Sequence, residues 1–159
     1  MTSLPTKVIF LDIDGPMIPA SFFLVDSMAS WKRHFPETTV AVIRELCVRT
    51  GAKVVFNTTH NRPFVDTDDI DVALEKQGLD RDHIHETDLA TKYPDMSRDL
   101  AVKDWLLRHP EVAEWVALDD VKFTDDERLI WVDPDAGVHL GHLNHAIERL
   151  GGKPVIVLM

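Results

Sequence analysis

The stretch Val8-Ile9-Phe10-Leu11-Asp12-Ile13-Asp14-Gly15 decides how the chain reads. Four consecutive apolar residues, two of them β-branched and one aromatic, suit a strand buried on both faces, as the strands of a parallel sheet are. The run ends abruptly in acid, and Gly15 follows Asp14 where a turn is required. Open parallel sheets bind their ligands beyond the carboxyl ends of the strands. Two carboxylates delivered to such an end are candidates for chemistry.

Similar runs recur along the chain. Lys53-Val54-Val55-Phe56-Asn57 leads into Thr58 and Thr59, and Trp115-Val116-Ala117-Leu118 leads into Asp119 and Asp120. Leu129 to Val132 forms a further strand ahead of the turn Asp133-Pro134-Asp135-Ala136-Gly137. A brief strand is expected at Ile84 and a terminal one over Pro154 to Met159. Between these runs the spacing predicts helices over Thr38–Arg49, Asp69–Gln77, Ser97–His109 and Gly141–Leu150. Gly51, Gly78, Pro110 and Gly151 stand where those helices must stop. The alternation of strand and helix points to an α/β fold with a mainly parallel sheet of about five strands, helices covering both faces. Residues 1–159 are expected to form a single domain. Pro16 to Pro36 leaves room only for a modest flap, and Thr59 to Ser97 for a small insertion at most, so any cap is minimal or absent.

Composition narrows the function. The chain has 159 residues, 45% of them hydrophobic and 28% charged, a balance that suits a globular protein with one sizeable core. No apolar run approaches the roughly 20 residues that cross a bilayer, and with an N-terminus that goes almost directly into a strand no secretory signal is expected. A single cysteine, Cys47, excludes an intrachain disulfide, and a cytoplasmic location is expected. The net charge of −10 opposes general nucleic-acid binding and anionic membranes at long range. It leaves small phosphorylated substrates open.

If the strand tips converge, Asp12, Asp14, Asp119 and Asp120 meet in one crevice. Carboxylates so gathered repel each other unless a cation neutralises them. Oxygen ligands with water still bound suit Mg²⁺.

Taken together, these segments resemble the haloacid dehalogenase (HAD) superfamily of hydrolases. The apolar strand with Asp12-Ile13-Asp14-Gly15 is similar to its first motif, the strand ending at Thr58 to its second, and the strand ending in Asp119-Asp120 to its fourth. Arg98 to Asp120 and the Asp133–Gly137 turn further resemble the small capless phosphatase-like domains of RNA-repair and polynucleotide kinase-phosphatase proteins. The resemblance implies a Rossmann-like three-layer α/β/α fold and a Mg²⁺-dependent phosphatase. It assigns Asp12 as the nucleophile that forms an aspartyl-phosphate, and Asp14 as general acid and base, its backbone carbonyl also on the metal. Thr58 binds a phosphoryl oxygen, and Asp119 and Asp120 hold the metal. Lys103 is expected as the third-motif base, with Arg98 as its rival, and Gly15, Thr59 and Arg98 as substrate contacts. Pro16 departs from the usual residue after Asp-x-Asp-Gly, and His60-Asn61 stands where related domains carry Trp-Arg.

Each residue has a plainer reading. Asp14-Gly15 is ordinary turn chemistry, Thr58 and Thr59 can begin a loop, and Lys103 can be a surface lysine on an amphipathic helix. Trp31, Trp105, Trp115 and Trp131 read as packing residues. His139, His142 and His145 recur every three residues, a step that drifts around a helix of 3.6 residues per turn and so suits a solvated face. Two alternatives to a small-molecule phosphatase stand: a catalytically silent HAD-fold binding module, and a nucleic-acid end-healing phosphatase.

Overall fold

The computed structural model describes residues 6–27, 34–58, 67–90 and 95–156. Five strands make one sheet: β1 (Thr6–Leu11), β2 (Lys53–Phe56), β3 (Ile84–Leu89), β4 (Val112–Asp119) and β5 (Leu129–Trp131). Their order is β3-β2-β1-β4-β5 and every pairing is parallel. Among the described residues four α-helices accompany them: α1 (Glu37–Thr50), α2 (Thr67–Lys76), α3 (Arg98–Arg108) and α4 (Leu140–Leu150). This is a Rossmann-like α/β arrangement with β1 at its centre. Sequence order runs outward from β1 on one side and then switches to β4 on the other. Such a switch opens a crevice at the carboxyl ends of the two strands.

Strand residues alternate between faces, and this sorts the core into two layers. Ile9, Leu11, Val54, Phe56, Val116 and Leu118 pack with Val40, Ile43 and Leu46 of α1, Ile70 and Leu74 of α2, and Leu143, Ala146 and Ile147 of α4. Val8, Phe10, Val55, Trp115 and Ala117 face the other way, onto Ala101, Val102 and Trp105 of α3. The helix stops follow from backbone chemistry. Gly51 adopts φ 74° at the end of α1 and donates its amide to Cys47 O, a left-handed cap that favours glycine.

Two expectations change. The terminal segment forms no strand within residues 153–156, and 157–159 lie outside the described residues. Instead Asn144 of α4 holds the Val155 backbone from both sides, receiving its N–H at 2.8 Å and donating to its carbonyl at 3.0 Å. With its peptide groups taken by a helix side chain, this segment has no call on the sheet edge. The weakly signalled strand at Ile84, by contrast, runs six residues. Its pairing with β2 is irregular, Val54 meeting Ile84 and Phe56 meeting Leu89, which blurs the period-2 pattern.

The flap after Gly15 is small and anchored. Among the described residues before α1 its one helical element is the 3₁₀ turn Ala20–Leu24. Ala20 and Ser21 donate their amides to Pro134 O and Asp135 O, and Val138 donates to Pro16 O at 2.9 Å. Gly137 makes that docking possible, since a Cβ there would stand 3.0 Å from Pro16 O.

Among the described residues Trp105 is the largest fully buried side chain. It packs edge-on against Phe10, stacks on His109 and donates its indole N–H to Thr87 O at 3.1 Å. Trp105→Ala is expected to cost about 3–5 kcal/mol, read from urea unfolding. A loss below about 1 kcal/mol would mean that α3 does not depend on this contact.

Candidate active site

The same alternation that layers the core assembles the site. Phe10 and Asp12 share a face of the sheet, as do Ala117 and Asp119, and Val55 and Asn57. Parallel register brings these tips level, with Leu11 beside Leu118 and Phe56. Asp12 N–H donates to Leu118 O at 3.1 Å, and Asn57 N–H to Leu11 O at 2.9 Å. Asp12 and Asp119 therefore emerge side by side at the crevice, both buried, on the face covered by α3.

Helix α3 contributes the cation. Its inward residues Ala101, Val102 and Trp105 are one helical stripe, and Arg98 is the first member of that stripe by the same spacing. Ser97 caps the helix by accepting Leu100 N–H, which fixes where the stripe begins. Arg98 Nη1 lies 2.6 Å from both Oδ1 and Oδ2 of Asp119 and 2.9 Å from Oδ2 of Asp12. Asn57 Nδ2 reaches the Arg98 carbonyl at 3.4 Å and ties the β2 tip to the same helix turn. Lys103 does not approach this centre. It sits on the outer side of α3, 67% exposed, and pairs with Asp99 one turn back at 2.8 Å. The expectation of Lys103 at the site is thus corrected to Arg98, because five residues along a helix turn a side chain away from the buried stripe.

Asp12, Asp119 and Asp120 each bring a carboxylate oxygen within 4.8 Å of the others. Oδ2 of Asp12 and Oδ1 of Asp120 are buried with no hydrogen-bond partner among the described residues. The Arg98 contact to Asp12 is a charge contact without hydrogen-bond geometry. Three carboxylates facing one guanidinium leave two negative charges uncompensated when all are ionised. Buried oxygen donors with that residual charge fit a hard divalent cation.

Burial pushes the Asp12 carboxyl up to about 8, with the neighbouring Asp119 adding to the rise and Arg98 opposing it. Burial likewise pushes Asp119 up to about 6 against the pull of Arg98. In the absence of a cation this pocket therefore holds protons near neutral pH.

The loop after β1 shapes the rim. Asp14 is half-buried and lies three residues past the end of β1, where Met17 and Ile18 both return their amides to Ile13 O. Its carboxylate is not part of the three-acid cluster, so any hold on a metal falls to its backbone carbonyl. Gly15 has φ 95°, and a Cβ on it would stand 3.1 Å from Asp120 Cγ. Its N–H donates to Ile18 O. Gly15 thus makes room for the Asp120 carboxylate, and its amide is already used within the loop. Thr58 is buried just beyond the β2 tip. Thr59, with His60 and Asn61, lies outside the described residues.

Sequence reasoning missed Asn57 and ranked Arg98 behind Lys103. The strand period marked Asn57 as facing α3, and the stripe of α3 marked Arg98; both signals were present. It also read Trp131 as packing, whereas that side chain is 45% exposed and donates its indole N–H to Asp120 O at 2.8 Å.

A model of the family described as the HAD domain in Swiss Army Knife RNA repair proteins matches residues 8–143. The chain belongs to that family. No curated protein and no solved structure gives a significant match. The HAD-domain match takes in β2 to β5, all but the first two residues of β1, and the whole three-acid cluster. No helix among the described residues is long and apolar enough to cross a membrane.

A second grouping, His85, His109 and Glu111, lies at the far end of α3 from Arg98. His85 Nδ1 accepts Thr87 N–H, while His109 Nδ1 lies 2.8 Å from the Trp105 carbonyl and must donate to it. The neutral rings are thereby held in opposite tautomers. That suits an imidazole–imidazole contact better than two lone pairs aimed at one ion.

Two predictions follow from this geometry. Arg98→Met should lose about 3 kcal/mol at about pH 8 by stranding buried carboxylates, whereas Lys103→Met should stay within about 0.5 kcal/mol. Equal losses in urea titrations would refute the assignment of Arg98. The second concerns pH. Asp12 holds its proton in the folded chain to about 8 but in the unfolded chain only to about 4. Its contribution to stability is full below about pH 4 and is lost as pH rises through about 8. Burial lowers His85 and His142, which act oppositely in part of that range. The comparison is therefore with Asp12→Asn, and without metal the wild type should lose melting temperature relative to this variant between about pH 5 and about pH 8. Parallel curves would contradict it.

Proposed function

We propose that this HAD domain is a phosphatase that hydrolyses phosphomonoesters with Mg²⁺. The observation that carries the reading is the gathering of the Asp12, Asp119 and Asp120 carboxylates around a single guanidinium, with buried oxygens of Asp12 and Asp120 that accept no hydrogen bond among the described residues. Asp12, Asp119 and Asp120 are the residues that would hold the cation. When bound, Mg²⁺ supplies charge that offsets the phosphoryl oxygens and keeps Asp12 ionised.

Asp12 attacks phosphorus in line with the leaving oxygen, giving an aspartyl-phosphate and splitting one displacement into two. Asp14 donates a proton to the leaving alkoxide and then takes one from the water that hydrolyses the acyl phosphate. Its half-exposed place in the turn beyond β1 leaves it room to exchange protons with solvent. Thr58 hydrogen-bonds a non-bridging oxygen at the β2 tip. Arg98 lowers the cost of crowding Asp12, Asp119 and the transferring group together, where catalysis is largely positioning and electrostatics. The substrate is a phosphorylated small molecule or the phosphorylated end of a larger one, and the compartment we propose is the cytoplasm.

One observation favours a second reading, a silent module. Arg98 already takes both oxygens of Asp119, and an internal ion pair of that kind can hold acids together without a metal. A single assay separates the two. Wild type should hydrolyse glycerol phosphate with Mg²⁺ and not with a chelator, and Asp12→Asn should lose more than about 1,000-fold in kcat. Wild type that is inert with Mg²⁺ across small phosphate esters would leave the silent module standing.

A further inference from the structure

Trp131 ends β5 and leaves a large aromatic ring 45% exposed on an acidic chain. The ring is not loose. Its N–H is fixed to the carbonyl of Asp120, the residue whose carboxylate lies in the three-acid cluster. The Lys122 ammonium lies over one face of the ring, 5.4 Å from its centroid. A flat apolar surface, a neighbouring positive charge and one acid of the three-acid cluster are thus carried on one short segment of chain. Aromatic side chains of this kind bind nucleobases by stacking, and an ammonium beside them attracts the attached anion.

We propose that Trp131 is the specificity-determining residue of the site, stacking on the base of a nucleotide whose terminal phosphate enters the Asp12 pocket, with Lys122 countering its charge. This rests on the phosphatase reading and adds no chemical step to it. The shared chemistry is a phosphomonoester on a single base-bearing unit, either a free mononucleotide or the last residue of a chain.

A purely structural role for Trp131, holding Asp120 in place, would change all esters alike. The test therefore reads a ratio. With the whole 159-residue chain and Mg²⁺, kcat/KM is measured for adenosine 3′-monophosphate, adenosine 5′-monophosphate, a 3′-phosphorylated trinucleotide, O-phosphotyrosine and glycerol phosphate. Trp131→Leu is expected to lower the nucleotide-to-glycerol-phosphate ratio about 10-fold, chiefly through KM. Trp131→Phe, which keeps a ring but loses the N–H, should retain most of the ratio. Because both esters are assayed on one sample, a fraction of misfolded variant cancels. Dependence on Trp131 shared by the trinucleotide assigns a chain end, and dependence confined to the mononucleotides assigns a free nucleotide. An unchanged ratio in Trp131→Leu overturns the proposal, and so does an equal effect on O-phosphotyrosine. Failure of the phosphatase reading looks different: wild type then turns over no ester, glycerol phosphate included.

Discussion

The structure depends on keeping three acids together where they would rather be apart. Two ionised carboxylates 4.8 Å apart repel by roughly 3–4 kcal/mol at an effective dielectric of about 20, and Asp12, Asp119 and Asp120 form three such pairs. Burial of Asp12 and Asp119 adds a desolvation cost on top. Only three responses are open to the chain: protonation, an internal cation or a bound one. It uses the first and second in part, since burial lifts two of the acids toward neutral pH and Arg98 lies against both. The buried oxygens of Asp12 and Asp120 that accept no hydrogen bond among the described residues are left to the third.

The fold makes this crowding hard to avoid. Parallel strands β1 and β4 are locked in register over most of their length, so their final acids leave the sheet together. Both strands are fixed by buried apolar residues on two faces, and α3 is fixed by Trp105 at its middle and Ser97 at its start. Arg98 has little freedom to withdraw. The repulsion cannot relax by movement and must be answered chemically. This is how stabilising interactions elsewhere in a protein maintain an unfavourable arrangement at a site.

Much of this was legible in the sequence. The apolar runs into Asp12, Thr58 and Asp119 announced a parallel sheet and the convergence of its tips, because burial on both faces leaves few other uses for such runs. The helix at Ser97–His109 was equally clear, and so was its start. The side-chain direction on that helix was where the reading went astray. Lys103 was favoured, although Ala101, Val102 and Trp105 had already defined the inward stripe to which Arg98 belongs. The terminal strand failed for a different reason. Val155 and Ile156 look like strand residues, but Asn144 takes the peptide groups of Val155, a long-range contact that no local pattern carries. Trp131 could not be placed because exposure of a strand-end aromatic depends on what packs beside it.

Selectivity cannot arise at the centre of the site, where every group present reads only a phosphate and a cation. It must come from the rim, and there two physical terms act in opposite directions. The net charge of −10 opposes the approach of a polyanion at long range, and salt weakens that opposition. The ring of Trp131 acts at contact distance, is nearly independent of salt, and sits beside one of the few cations on that loop. A short base-bearing anion gains the contact term while meeting little of the repulsion, whereas a long nucleic acid meets the repulsion along its whole length. If Trp131 stacks on a base as proposed, the combination favours a single nucleotide unit over an extended strand, and added salt should narrow the difference by relieving the long-range term alone.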